Sequence, residues 1–474
     1  MHAPLIISPS GIRGIVGLTV TPELAARYGA AFGSFVRETG QQVPGGFVLV
    51  GRDSRTSGAL LADAAAAGLC AAGVDARLSG IGPTPTHLLA VKDDGLALGG
   101  LIVTASHNPV EWNGLKLAGP DGLFVTPAQG DRITQLFDAG PRYADWSAPG
   151  LASMHAGAVE HHIERILDLD LVATGAIRDL RPRVVIDCVH GAGALVLPEL
   201  LRRLGAEVDG IGLTADGRFP RNPEPAPENL GQLCGRVRET GADVGFAVDP
   251  DSDRLAIVDE TGRPIGEDWT LALAVEYVLE HRRGPVVTNL SSSQVIEDVA
   301  RKVGVPFHRS AVGEARVAAL MVETGAVIGG EGNGGVMLPD LNLTRDAPLA
   351  AALVLSLCAT RRARVGELLS GRIHYGMVKR KIARPEASTE DIVGTLLASL
   401  GSDAECDVTD GLRLSWPSRS EWLHVRASGT EPILRIIAEG IDHSRAEALA
   451  DEAADCVART VESDAARPRS SPDL

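Results

Sequence analysis

The chain has 474 residues, 45% hydrophobic and only 4% aromatic, which is enough for several domains with aliphatic, Ala-rich cores. Its formal net charge is −16 with no basic block, which argues against nucleic acid as a partner and leaves any phosphate site dependent on local arginine clusters. Six cysteines are scattered without C-x-x-C spacing, which predicts reduced thiols in a cytoplasmic protein and no zinc site.

The N-terminal residues Met1-His2-Ala3-Pro4 carry no basic region or cleavage pattern. The first α/β unit begins at Phe47-Val48-Leu49-Val50, continues through a polar loop and an Ala-rich helix, and returns at Gly73-Val74-Asp75-Ala76. A buried strand, Leu101-Ile102-Val103, then leads into Thr104-Ala105-Ser106-His107-Asn108-Pro109. The Asn-Pro turn lifts the Ser106 hydroxyl out of the end of a sheet, where a ligand can reach it. A lone serine is a weak nucleophile unless activated, so an ordinary strand-end turn is the plain alternative. Lys116, one of only five lysines, follows ten residues later and is a candidate catalytic cation, with a surface lysine as the alternative.

A second unit runs from Val184-Val185-Ile186-Asp187 through Gly191-Ala192-Gly193 and a helix to Gly205-Ala206-Glu207-Val208. Its turn lacks the third glycine of a dinucleotide fingerprint. After it comes Asp249-Pro250-Asp251-Ser252-Asp253-Arg254, where three carboxylates alternate and fall on one side of an extended chain. Like charges so close call for a cation, and oxygen-only ligands favour Mg²⁺, Ca²⁺ or Mn²⁺. A calcium loop of the helix-loop-helix kind is excluded, because Arg254 stands where glycine is required and the flanks read as strands. Arg254 beside the carboxylates points to a site handling both metal and phosphate; a solvated acidic turn is the alternative.

A third unit starts at Pro285-Val286-Val287-Thr288, passes Ser291-Ser292-Ser293 and a helix, and returns at Gly304-Val305-Pro306-Phe307. Gly329-Gly330-Glu331-Gly332-Asn333-Gly334-Gly335 follows, a backbone free to approach a ligand, with Glu331 and Asn333 suited to sugar hydroxyls. The run Ala347 to Ala359 is apolar but too short to span a bilayer, so no membrane partner is expected. After Gly371 come short strands, Leu412 to Trp416, Trp422 to Arg426 and Ile433 to Ala438, then a helix from about Ser444. Between two of those strands lies Arg426-Ala427-Ser428-Gly429-Thr430-Glu431-Pro432, with Arg435 close behind. Its amides, hydroxyls and guanidinium groups can wrap a phosphate, or make only a polar turn.

A serine, an acidic triad, a sugar-type loop and a phosphate-type loop in this order resemble the α-D-phosphohexomutase family over nearly the whole chain. Supporting segments are Ser10-Gly11-Ile12-Arg13-Gly14, Gly51-Arg52-Asp53-Ser54-Arg55, Gly82-Pro83-Thr84-Pro85-Thr86, Asn113-Gly114-Leu115-Lys116 and Asn222-Pro223-Glu224-Pro225. The resemblance implies a phosphoserine at Ser106 and Mg²⁺ held by its phosphate with Asp249, Asp251 and Asp253. It implies Glu331 and Asn333 on the sugar, and Arg254, Arg426, Ser428, Gly429, Thr430 and Arg435 as further substrate contacts, the 426–435 segment on the phosphate that does not react. Arg13 would add positive charge at the reacting phosphate, and His107 and Lys116 would move protons or orient it, with a packed, loop-fixing histidine as the alternative for His107. Arg52, Asp53 and Arg55 read as support for the serine.

The expected architecture is three α/β domains of common topology plus a C-terminal α+β domain around a central cleft, one motif from each. Expected spans are 1–150 for the serine loop, 151–256 for the metal loop, 257–370 for the sugar loop and 371–464 for the phosphate loop, with a disordered tail at 465–474. The implied activity interconverts hexose 6-phosphate and hexose 1-phosphate through a bisphosphate intermediate, with hexose 1,6-bisphosphate as activator. The Glu-x-Asn-Gly-Gly and Ser-Gly-Ile-Arg-Gly forms resemble the phosphoglucosamine mutase branch, with dual phosphomannomutase/phosphoglucomutase as the alternative. The expected protein is a monomer or homodimer. Many relatives close the sugar loop with Ser-Gly-His, where this chain has Asn333-Gly334-Gly335, so the histidine contact is absent. A sugar phosphatase and a non-catalytic sugar-phosphate binder remain as more distant readings.

Overall fold

The computed structural model describes residues 5–8, 11–40, 43–428 and 433–465. The expected tail, Ser10, Gly429 and Thr430 therefore lie outside the described residues, except that the last helix includes Ala465.

Four sheets organise the chain. In the first, strand Phe47–Arg52 pairs in parallel with both Asp75–Ile81 and Ala97–Val103, and Trp112–Ala118 closes antiparallel on Ala97–Val103. The second repeats this pattern with Arg183–Asp187 between Glu207–Ile211 and Val244–Val248, then Leu255–Val258 antiparallel. The third repeats it again with Val286–Asn289 between Phe307–Ser310 and Ile328–Glu331, then Gly335–Met337 antiparallel. The expected common topology is therefore present three times. Each motif loop occupies the same place in it: the turn from the third parallel strand to the antiparallel fourth, at the carboxyl end of a parallel strand, where ligands of α/β sheets bind. The fourth sheet is antiparallel, in the order Gly376–Ala383, Ile433–Gly440, Glu421–Ala427, Leu412–Trp416, Glu405–Asp407.

Two expected boundaries need correction. Strand Ala152–Met154 pairs in parallel with Asp75–Ile81, so the first sheet extends past 150. Strand Leu255–Val258 pairs along its length with Val244–Val248, so a cut at 256 would sever the second sheet. The second and third domains also share one large core, beside a smaller apolar cluster in each. Its centre is helix Ala347–Arg361, buried from Ala347 to Ala359, and started by the Asp346 carboxylate capping the Leu349 amide with Pro348 in its first turn. The first and fourth domains keep their own cores, built around Phe32 and Leu101 and around Leu414 and Ile436. Among the described residues no helix is long and apolar enough to cross a membrane.

Gly330 shows how tightly the third hairpin closes. Its φ is +154°, and a Cβ there would stand 2.0 Å from the Gly335 carbonyl oxygen. Gly330→Ala is expected to destabilise by about 2 kcal/mol through overpacking against backbone that cannot move aside. Gly95→Ala, with open space around it, serves as control. Calorimetry should show a lower melting temperature for the first and none for the second; equal melting would mean that the hairpin is loose.

Candidate functional site

The serine loop leaves strand Ala97–Val103 with Ser106 in the left-handed region at φ +49°, a conformation that costs a non-glycine residue energy and persists only where its surroundings enforce it. The enforcement comes from Arg55 and Asp53, a fully buried ion pair at 3.2 Å. Arg55 donates to the carbonyls of Ser106 and Asn108 at 2.6 Å each, of Pro109 at 2.6 Å and of Trp112 at 2.9 Å. Asp53 accepts from Thr104 Oγ1 at 2.7 Å, and Thr104 Oγ1 accepts the Ser106 amide at 2.9 Å. Arg52 joins only through a long bond to the Asp53 carbonyl, at 3.3 Å. Arg13 reaches the loop from strand Gly11–Ile15, donating to Asn108 Oδ1 at 2.7 Å. Burial, opposed by Asp251 and aided by Arg254 and Arg55, lowers the affinity of Arg13 for its proton.

The Ser106 hydroxyl donates to Asp249 Oδ2 at 2.9 Å, which joins the first and second domains. Asp249, Asp251 and Asp253 are all buried, and a carboxylate oxygen from each lies within 4.8 Å of the others. The loop folds on itself with Ser252 at φ +52°, and Asp249 Oδ1 accepts the amides of Asp253 and Arg254 at 3.2 and 3.3 Å. Asp251 Oδ2 accepts from Thr84 Oγ1 at 2.8 Å and from Lys116 Nζ at 3.1 Å. Asp253 Oδ2 accepts from Arg345 Nη2 at 2.5 Å. What remains is Oδ1 of Asp251 and Oδ1 of Asp253, buried without a hydrogen bond, the latter 3.6 Å from Arg254 Nε.

An all-oxygen donor set with tethered far oxygens and unsatisfied near ones fits a hard divalent cation. Proton affinities reflect the crowding. Burial, with Asp253 and Asp251 nearby, pushes Asp249 well above the usual carboxylate range. Burial would also raise Asp251, but Lys116 and hydrogen bonds from Asp249, Thr84 and Lys116 outweigh it and hold Asp251 far down.

His107 lies beside the serine, with Nδ1 3.3 Å from Ser106 Oγ and Nε2 3.2 Å from Glu224 Oε2. A proton on Nε2 shared with Glu224 leaves Nδ1 as the acceptor facing the serine. Glu224 also takes Arg254 Nη1 at 2.6 Å, so Glu224, Arg254 and His107 form one edge of the site.

The sugar loop meets the metal loop through backbone, as Leu255 N donates to Gly334 O at 3.0 Å. Glu331 is buried and heavily bonded: Oε1 accepts from Asn289 Nδ2 at 2.8 Å and the Gly313 amide at 3.2 Å, Oε2 from Arg345 Nη1 at 2.7 Å and Asn333 Nδ2 at 3.5 Å. Burial would raise it, but Arg345 and Asn289 more than offset this and keep it ionised. Asn333 Oδ1 is buried without a hydrogen bond.

Of the phosphate loop, Arg426, Ala427 and Ser428 and the following Arg435 are described. Arg426 and Arg435 face each other across strands Glu421–Ala427 and Ile433–Gly440, and Arg426 Nε pairs with Asp410 at 2.9 Å. Ser428 donates its amide to the Ile433 carbonyl at 2.9 Å. Asp410 in turn accepts the Val312 amide at 3.0 Å, and His424 bonds Ser291 at 2.9 Å, so the fourth domain docks on the third.

Arg345, Glu314 and Asn289 also belong to the cluster, though nothing local in the sequence sets them apart. Arg345 precedes the Asp346 cap and reads as a helix start; its partner Asp253 lies 92 residues away, a pairing no local pattern reveals. Thr84, Asn108 and Glu224 lie inside segments that the sequence marks for other reasons, and their contacts to Asp251, Arg13 and Arg254 come from the fold.

Four family models match in order: phosphoglucomutase/phosphomannomutase alpha/beta/alpha domain I at residues 6–144, domain II at 160–262, domain III at 266–375, and the C-terminal domain at 386–456. A protein of Methanopyrus kandleri named probable phosphoglucosamine mutase is 40% identical over 458 residues, covering 96% of this chain and 98% of its own. A phosphoglucomutase/phosphomannomutase of Thermococcus kodakarensis is 38% identical, covering 92% and 94%. The crystal structure of a phosphoglucomutase/phosphomannomutase family protein from Burkholderia thailandensis superposes with a TM-score of 0.81 at 28% identity, covering 96% and 97%.

Burial, with Arg254 and Arg13 nearby, holds His107 far below the ordinary histidine range, so the ring is neutral on both sides of that range. Nitrogen NMR, with His107→Gln to assign the signal, should show an Nε2–H tautomer that does not titrate between about pH 5.5 and 8. Titration near the ordinary value would mean that water enters the serine loop freely.

Proposed function

The chain belongs to the phosphoglucomutase/phosphomannomutase family, and from that membership we propose that it interconverts hexose 6-phosphate and hexose 1-phosphate through a phosphoserine at Ser106, with glucosamine phosphate as its sugar. One observation carries the reading. Ser106 Oγ sits 2.9 Å from Asp249 at the edge of a buried carboxylate cluster in which Oδ1 of Asp251 and Oδ1 of Asp253 accept no hydrogen bond. A sugar-phosphate binder needs neither feature, and a water-excluding position disfavours a phosphatase.

Asp249, Asp251 and Asp253 would hold Mg²⁺ with an oxygen of the phosphorylated serine. Bound there, Mg²⁺ neutralises charge spread over the transferring oxygens. As a sugar hydroxyl forms its bond to phosphorus, the bond from phosphorus to Ser106 Oγ breaks. The hydroxyl proton passes to His107 Nδ1, whose proton affinity rises when a phosphate dianion replaces the bare serine, and from there to the departing Ser106 Oγ, 3.3 Å away, which ends as a neutral hydroxyl. The resulting bisphosphate turns end for end and returns its other phosphate to Ser106, and free hexose 1,6-bisphosphate would recharge an emptied serine. Lys116 keeps Asp251 ionised and faces the phosphate, while Arg13 and Arg254 add positive charge from either side. Arg426, Ser428, Gly429, Thr430 and Arg435 grip the far phosphate, which requires the fourth domain to close on the cleft.

Glucosamine is favoured by the sugar loop. Glu331 already accepts four bonds, so the open acceptor is Asn333 Oδ1, buried without a donor beside that ionised carboxylate and suited to an ammonium at C2. The second reading, dual specificity for mannose and glucose phosphates, draws on the Thermococcus kodakarensis relative of that name.

The kcat/KM for glucosamine 1-phosphate should exceed that for glucose 1-phosphate and mannose 1-phosphate by about tenfold or more, the scale of one charge-assisted contact. Similar values for all three would favour the second reading. Ser106→Ala should abolish turnover while calorimetric binding of the sugar phosphate persists; full turnover in that variant would overturn the mechanism.

A further inference from the structure

Gly335 opens the antiparallel strand of the third sheet, and another side chain fills the space beside it. A Cβ on Gly335 would lie 2.2 Å from Arg345 Cδ and 2.7 Å from its Cγ. The stem of Arg345 thus occupies the volume that any residue but glycine would claim.

From that slot the guanidinium reaches both neighbouring loops. Nη2 donates to Asp253 Oδ2 at 2.5 Å and Nη1 to Glu331 Oε2 at 2.7 Å. Nε and the backbone amide donate to Glu314 Oε2 and Oε1, at 3.2 and 2.9 Å. Arg345, Asp253 and Glu331 are all buried. With Oδ2 of Asp253 engaged, Oδ1 is the oxygen left without a hydrogen bond. Glu314 and Glu331 offset the charge of Arg345, so its effect on a neighbouring cation is geometric more than repulsive.

We propose that Arg345 is a positioning residue for the metal ion: it fixes Asp253 so that Oδ1 is presented as a ligand, ties that carboxylate to Glu331 of the sugar loop, and depends on Gly335 for room. The inference rests on reading residues 249–253 as a metal site. An orienting partner of this kind, when removed, lowers metal affinity by about 10–100-fold.

The test is Mn²⁺ binding to the dephosphorylated full-length protein, followed by electron paramagnetic resonance without sugar. Arg345→Lys keeps the charge but loses the fork, and should bind Mn²⁺ about 10–100-fold more weakly. Gly335→Ala keeps Arg345 but displaces it, and should weaken Mn²⁺ in the same direction. The double variant should lose less than the product of the two single losses, because both act through one side chain. Unchanged or tighter binding in Arg345→Lys would overturn the proposal, as would unfolding of both single variants, which would mark Arg345 as purely structural. Failure of the underlying reading looks different: wild-type protein that binds no Mn²⁺, or Asp253→Asn binding as tightly as wild type.

Discussion

Three carboxylates buried within 4.8 Å of one another are the constraint around which this molecule is arranged. At an effective dielectric of about 20 each like-charge pair at that separation costs on the order of 3 kcal/mol. Cations answer it from three sides. Lys116 comes from the first domain, Arg254 from the loop itself and Arg345 from the third domain. Each carboxylate has one oxygen tethered, by Lys116 and Thr84, by Arg345, or by the loop's own amides. Of the other oxygens, that of Asp249 accepts the Ser106 hydroxyl, while Oδ1 of Asp251 and Oδ1 of Asp253 accept no hydrogen bond. Charge compensation thus binds three domains into one site before any ligand arrives.

The convergence has a topological cause. Serine, acidic and sugar loops all leave the carboxyl end of a third parallel strand and return as an antiparallel fourth. Repeating one small sheet three times places three chemically different turns at equivalent positions. Rigid strands on both sides of each turn also let strain be held there. Ser106 and Ser252 both sit at positive φ, the first clamped by Arg55 through four carbonyls and the second by the Asp249 carbonyl.

Much of this was legible in the sequence because it is local. Alternating Asp249, Asp251 and Asp253 announce a cation at any reading distance, and Ser106 after an apolar strand announces an exposed hydroxyl. The three α/β units were legible from apolar runs, polar loops and the glycines that open each returning strand. What escaped was non-local or weakly patterned. Arg345 finds its partners through the fold, and nothing in Thr344-Arg345-Asp346 separates it from a surface arginine before a helix. Strand Ala152–Met154 is fully exposed and three residues long, too short to alternate, so the first boundary fell inside its sheet's territory. Strand Gly376–Ala383 places Lys379, Arg380 and Lys381 in a row, which masks its pattern, although it pairs with Ile433–Gly440 throughout. The shared core of the second and third domains escaped for the same reason: Ala347–Arg361 is apolar on all sides, and sequence alone does not say which neighbours cover it.

The central claim is that one hydroxyl, Ser106, carries the phosphoryl group between substrate and product. The most direct measurement incubates the protein with hexose 1,6-bisphosphate bearing radiolabelled phosphate, maps the label by proteolysis and mass spectrometry, then chases with unlabelled hexose phosphate. The account predicts label on Ser106 that transfers back to sugar on the chase. Label on another residue, or a Ser106 phosphate that leaves only as inorganic phosphate, would contradict it.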